Sequence, residues 1–381
     1  MTRSIAIVGG GIAGLTAAIA LQNAGYDPEV FEAAETIQPV GAGLGLAANA
    51  IRALEKLGMG DKVIARGRLL SSFSIKDEKG NHITHTDSGK ISREYGLDNF
   101  TIHRAALHEV LLSAISRERL HTGKKCTDML TGKEGGQRLL FKDGSSWEAD
   151  IVIVADGIHS PLRQKLAPHS APRFAGYTCW RAVISNSSLG MDSSYEIWGS
   201  RGRFGVVPMA EDQLYWFATV NSTANNARFK NFTLVDLREW FKNYPAEVGA
   251  IIHASSEDAL IWNDIIDLKP LSRYAFGNTL LLGDAAHATT PNLGQGACQA
   301  IEDAAVLYDE MTRGGDVADV FLRFEKRRLG RTRFIIRQSA RVGRMAQLTN
   351  PLLMRARNTL LRSLPEGVKD RQLKKLYSTD F

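Results

Sequence analysis

The 381-residue sequence is poor in cysteine. Its three, Cys126, Cys179 and Cys298, stand too far apart to form a Cys-x-x-Cys or similar pair. A disulfide framework, a dithiol redox centre and a metal site are therefore not expected. A reducing cytoplasm is the simplest location for such a chain. No apolar run approaches the ~20 residues that cross a bilayer. Only four residues precede Ile5, where the first strand-like segment begins, so no secretory leader is expected. Internal repeats and low-complexity stretches are absent as well. The remaining composition, 44% apolar and 23% charged, is that of a globular protein long enough for two domains.

Acids are scarce towards one end. Over residues 321–381, sixteen Lys and Arg face four acids, a local balance of +12. With +6 for the whole chain, the rest carries about −6. Such a segment suits nucleic acid or an anionic membrane. However, Phe324, Phe334, Ile335, Ile336, Val342 and Met345 interrupt the charges, and no nucleic-acid motif accompanies them. A solvated helix face is the simpler reading, with residues 346–381 as a basic helical tail and no nucleic-acid partner.

Three glycine- and aspartate-bearing motifs stand out against these absences. Ile5-Ala6-Ile7-Val8 is an unbroken apolar run, as a parallel strand buried on both faces requires. Gly9-Gly10-Gly11-Ile12-Ala13-Gly14 follows at once, then residues 15–21 read as a helix. Gly9 permits a tight turn, Gly11 lets backbone approach a pyrophosphate, and Gly14 lets the helix pack closely on the strand. Ala13 lies in the first turn, whose free N–H groups suit phosphates. Glu32 ends the next strand, 18 residues beyond Gly14, where a carboxylate accepts from ribose hydroxyls. At mid-chain, Asp156-Gly157 closes the apolar segment 151–154; it leaves backbone room for phosphates, or merely turns the chain. Finally, the run 278–282 ends at Gly283-Asp284, where an open α/β sheet presents ligand-binding groups. Gly294-Gln295-Gly296-Ala297-Cys298 then opens a long helix whose N–H groups suit a partial negative charge.

In this order the motifs resemble the FAD-binding signature of the group A flavin monooxygenases, the single-component, para-hydroxybenzoate hydroxylase-like family. The resemblance covers most of the chain. It implies an α/β fold: a Rossmann-like FAD-binding domain from residues 1–68, 100–170 and 269–345. An inserted, mainly β-sheet substrate domain would comprise 69–99 and 171–268. It also implies noncovalent FAD, NADPH or NADH as transient co-substrate, and O2. A small aromatic or heteroaromatic compound would be hydroxylated through a flavin hydroperoxide. By the same resemblance Asp284 holds the ribityl chain, Asp156 handles pyrophosphate, and Arg104 offsets pyrophosphate charge. Residues 41–45, ending at Gly45, run against the isoalloxazine. The second strand–glycine–helix unit of a permanent NADPH domain and the Trp-x-Trp-x-Ile-Pro motif of flavin halogenases are both missing. A flavoprotein oxidase, an isoprenoid reductase and a non-catalytic flavin-binding regulator are the alternatives. His287 is expected to order the strand end beside Asp284 rather than to act as a base.

Residues 171–268 are rich in aromatic and β-branched strands, suited to a sheet with one lined face. Arg203 and Tyr215 lie on two of them, in a setting that resembles the substrate-holding arginine and tyrosine region of the family's urate hydroxylases. An arginine there pairs an anionic or carbonyl-bearing ring, and a tyrosine relays its proton. Alternatively Arg203 faces solvent and Tyr215 packs. Residues 139–141, the turn 142–145 and the strand 151–154 read as a hairpin-like piece. Ser160 before Pro161 reads as a helix start.

Overall fold

The computed structural model describes residues 3–36, 42–97, 99–132 and 135–381. Gly41, read above as part of the glycine-dense segment, lies outside them. A six-stranded sheet runs in the order Ala275–Phe276, Thr279–Leu281, Ile151–Val154, Ile5–Val8, Glu29–Phe31, Leu120–His121. All neighbours are parallel except the first pair. Every residue of Ile5–Val8 and Ile151–Val154 is buried, as strands covered on both faces must be. Helix Ile12–Asn23 packs on one face against the long helix Gly296–Arg313.

A second sheet of seven strands has the order Ile261–Asp267, Arg173–Ser185, Gln213–Asn221, Gly202–Pro208, Ser194–Gly199, Ser72–Asp77, His82–Asp87. Its two faces separate by the strand period of two. Trp180, Ala182, Phe204, Val206, Leu214 and Trp216 point to one face and form a core with the helices Leu234–Trp240 and Ala246–His253. Those helices were not read from the sequence, which suggested strands alone there. They exist because a face carrying two tryptophans must be covered, and a Thr233–Asp236 capping box starts the first. The opposite face carries Arg181, Arg203, Tyr215 and Phe217.

Two smaller sheets connect these. Gly43–Leu46 and Arg68–Leu69 flank Phe100–His103. Gln137–Phe141 lies between Cys126–Thr131 and Ser146–Ala149. The hairpin expectation needs correction: the partner of Gln137–Phe141 is Ser146–Ala149, whereas Ile151–Val154 joins the parallel sheet. The fully apolar Ile151–Val154 suits the doubly covered sheet better than an edge hairpin. Ser160 caps the helix Pro161–Leu166, its Oγ accepting from Arg163 N at 2.9 Å. The chain ends in helices Val317–Ala346, Pro351–Arg362 and Glu366–Tyr377.

Candidate active site

The three motifs meet at the C-terminal ends of three adjacent strands. Gly9 adopts φ +108°, and a Cβ there would lie 2.4 Å from the Ala155 carbonyl oxygen. Only glycine therefore brings the first turn against the loop that carries Asp156. A Cβ at Gly14 would lie 1.8 Å from the Gly9 carbonyl oxygen, so the helix is pressed onto its own turn. Gly283, at φ +56°, admits the methyl of Ala13 in the same way. Around Gly11 and Gly45, by contrast, an added Cβ would meet nothing within 4 Å. Backbone is thus open where a dinucleotide would approach.

Glu32 accepts from the Gly10 amide at 2.7 Å and from the Ala34 amide at 2.8 Å. It shapes the glycine turn and keeps carboxylate lone pairs for a ribose. Asp284 is exposed, yet the protein crowding it pushes its carboxyl up, against the opposing charges of His287 and Arg104. Crowded but open is the state of a residue lining a cleft. Arg104 is exposed beside it and makes no ion pair among the described residues. Both Asp156 oxygens are enclosed with no hydrogen-bond partner among the described residues. Burial pushes that carboxyl up to about 6, opposed by the nearby Ser160 hydroxyl and Arg163 guanidinium. Open backbone at Gly11 and Gly45 with exposed Asp284 and Arg104 fits a polyhydroxylated cofactor that carries a pyrophosphate.

The helix start is held from beneath. Gln295, expected to contact the cofactor, is wholly buried and bonds Asn49 and Gln299. Cys298 is buried with its Sγ near the Gly45 carbonyl, while Gly294, Gly296 and Ala297 stay at least partly open. His287 donates its Nε2–H to Asp303 at 2.7 Å, and Asp303 also accepts from the Gly283 amide at 2.9 Å and Arg328 at 2.7 Å. Burial acts to raise the Asp303 carboxyl, but His287 and Arg328 outweigh it and hold it low. His287 therefore orders the strand end, as the sequence suggested. The supporting Asp303, Glu302, Arg328 and Asn49 network escaped sequence reading because its partners are 25 to 253 residues apart.

The substrate sheet faces this cleft with three adjoining rows. Cys179, Thr219, Arg203 and Trp198 form one; Arg181, Phe217, Gly205 and Glu196 the next; Val183, Tyr215 and Val207 the third. Arg203 does not face solvent. It is 2% exposed, bonds Glu196 at 2.8 Å, and donates its other arm to Asn292. Asn292 in turn bonds Tyr177, Thr290 and the Ser339 carbonyl. Tyr215 packs on Gly43, where a Cβ would lie 2.7 Å from its ring, and burial pushes its phenol up. Arg181, unremarked in the sequence, gives Nη2 to Asn263 at 2.9 Å while its Nε is enclosed without a partner. The alternation around Trp180 was the signal that placed it on this face.

Fold and site together define a flavoprotein of hydroxylase architecture, with a dinucleotide cleft at the strand ends of one sheet and a second sheet facing it. The chain matches the FAD binding domain family over residues 2–328 and belongs to it. It is 34% identical over 362 residues to the aurachin C monooxygenase/isomerase of Stigmatella aurantiaca, covering 95% of this chain and 94% of that one. Identity to the 2-heptyl-3-hydroxy-4(1H)-quinolone synthase of Pseudomonas aeruginosa is 30% over 380 residues, 98% of each. The structure of Klebsiella pneumoniae HpxO with FAD and uric acid matches with a TM-score of 0.91 at 29% identity, over 98% of this chain and 96% of that one. The protein is thus an FAD-dependent monooxygenase.

Proposed function

We propose that the protein uses NAD(P)H and O2 to hydroxylate a bicyclic nitrogen heteroaromatic that carries a ring carbonyl. One FAD is held noncovalently, and the enzyme works in the cytoplasm. Its adenosine half lies along Gly9, Gly11, Ala13 and Gly14, with Glu32 at the ribose and Arg104 at the pyrophosphate. Asp284 takes hydroxyls of the ribityl side, and Asp156 orders the loop beside the pyrophosphate. The chemistry that FAD would supply, once held by these residues, is hydride acceptance from the nicotinamide and activation of O2. The chain's own part is to orient the ring, exclude water and manage one proton.

The observation that carries the substrate class is the polarity of the facing wall. Val183, Val207 and Phe217 are apolar, and Arg203 is already matched by Glu196. What remains is the Tyr215 hydroxyl and the Arg181 guanidinium, part of which is committed to Asn263. A benzoate clamp needs two parallel free N–H groups, and Arg181 has Nη2 committed to Asn263. One donor for a carbonyl and one hydroxyl for a ring N–H suit a lactam-like heterocycle. A relative named as a 3-hydroxy-4(1H)-quinolone synthase and a neighbour solved with uric acid both handle rings of that pattern.

The test is NAD(P)H consumption and product formation, screened over 4-quinolones, purines, phenols and hydroxybenzoates. Stimulation by a quinolone or purine is expected. With that substrate, Tyr215→Phe and Arg181→Met should each raise KM or uncouple NAD(P)H use from product while FAD stays bound. Stimulation by hydroxybenzoates alone would overturn the substrate class.

A further inference from the structure

The helix Pro351–Arg362 is fixed to the body of the protein. Arg357 is buried, donates to the Met345 and Ala346 carbonyls at 3.0 and 3.3 Å, and lies over the Trp198 ring. Arg362 pairs with Asp77 at 3.0 Å. Leu361 joins a cluster with Ile83 and Trp198. The other side of the same helix is apolar and open. Leu352 is 73%, Leu353 53% and Leu360 63% exposed, with Ala356 exposed among them. At 100° per residue these four fall within one ~100° arc, a continuous stripe along a rigid helix. Scattered exposed leucines are ordinary; a stripe of this kind is an interaction surface.

Charge selects its partner. No Asp or Glu occurs between residues 326 and 365. Arg337, Arg341 and Arg344, at helical spacing on Val317–Ala346, are all exposed and lead to Met345, itself 37% exposed. Arg355 flanks the leucine stripe, and Arg371, Lys374 and Lys375 are exposed on the last helix. A second copy of this surface would set arginines against arginines. An anionic lipid surface instead receives the leucines at its acyl boundary and the arginines among its headgroups. We propose that Pro351–Arg362 and the basic end of Val317–Ala346 dock the enzyme on an anionic bilayer without crossing it; no helix among the described residues is long and apolar enough to cross. Trp198, between Arg357 and Arg203, then stands one layer from the membrane, at the end of the substrate sheet.

The experiment is flotation of the FAD-loaded full-length protein with phosphatidylcholine vesicles, with and without phosphatidylglycerol. Binding to the anionic vesicles only, weakened by raising salt towards 0.5 M (about a 4 Å screening length), is expected. Leu352→Gln/Leu360→Gln and Arg341→Gln/Arg344→Gln should each cut the bound fraction by about tenfold. Both should keep flavin content and substrate-stimulated turnover of a water-soluble substrate. Absence of flotation, or flotation that both variants retain, overturns the proposal. So does concentration-dependent dimerisation in sedimentation that the leucine variant abolishes, because the stripe is then a self-interface.

Discussion

Arg203 and Asn292 join the two halves of the active site. The arginine stands on the substrate sheet, and the asparagine lies in the Pro291–Leu293 turn that precedes the helix start under the cleft. Because Glu196 takes the other arm at 2.8 Å, the guanidinium is a clamp between sheet and turn.

Removing one member of this clamp should cost more than removing two. Arg203→Met leaves Glu196, whose side chain is 14% exposed, without its cation. A loss of about 3 kcal/mol in unfolding free energy is expected, the low end for a broken buried pair. Arg203→Met/Glu196→Gln should recover at least half of it. Denaturant unfolding of the three proteins measures this; additive losses would show that the pair is not coupled.

Asp284→Ala should weaken FAD binding on the order of 1.5–3 kcal/mol, the worth of a charged hydrogen bond. Flavin fluorescence titration of apoprotein reads the change directly. Unaltered affinity would remove Asp284 from the ribityl contacts.

Asp156 gives a pH-dependent prediction. Its folded carboxyl sits at about 6 against an ordinary 3.8. Native protein therefore keeps a proton that unfolded chain has lost, so this residue makes stability fall as pH rises from about 4 to about 6 and stay low above. Asp156→Asn lacks that titration. In flavin-free protein the variant should match wild type near pH 4 and gain up to about 3 kcal/mol over it by pH 7. Carboxylates held low, such as Asp303, slope the other way but cancel in the difference. Parallel unfolding curves at pH 4 and 7 would refute the assignment.

Gly14→Ala places a methyl where the Gly9 carbonyl stands. Loss of bound flavin is expected even where folded protein is recovered, with near-ultraviolet dichroism as the check on folding. An FAD-replete Gly14→Ala protein would show that helix and turn can separate without harm.

The cofactor was legible in the sequence because its chemistry is local. A buried strand, a glycine turn, a helix and an acid follow one another within 32 residues, and the demand for glycine at Gly14 is set by Gly9 in the same turn. The Asp284 motif reads in the same way. The wrong hairpin partner arose where two segments, 146–149 and 151–154, compete for 137–141, and the doubly covered sheet decides between them by taking 151–154. The helices over residues 227–253 were missed because their need comes from the sheet face they cover.

The substrate wall was decided by tertiary structure alone. Arg203 and Arg181 are both arginines on aromatic strands, indistinguishable by composition. Glu196 and Asn292 quench the first, while Asn263 engages only the Nη2 of the second. The basic tail divides likewise: its charge is written in the chain, but whether its leucines are core or surface depends on how Arg357 seats the helix. Composition and spacing determine what lies within a turn or two of itself. Which polar groups remain free is a property of pairs brought together from distant parts of the chain.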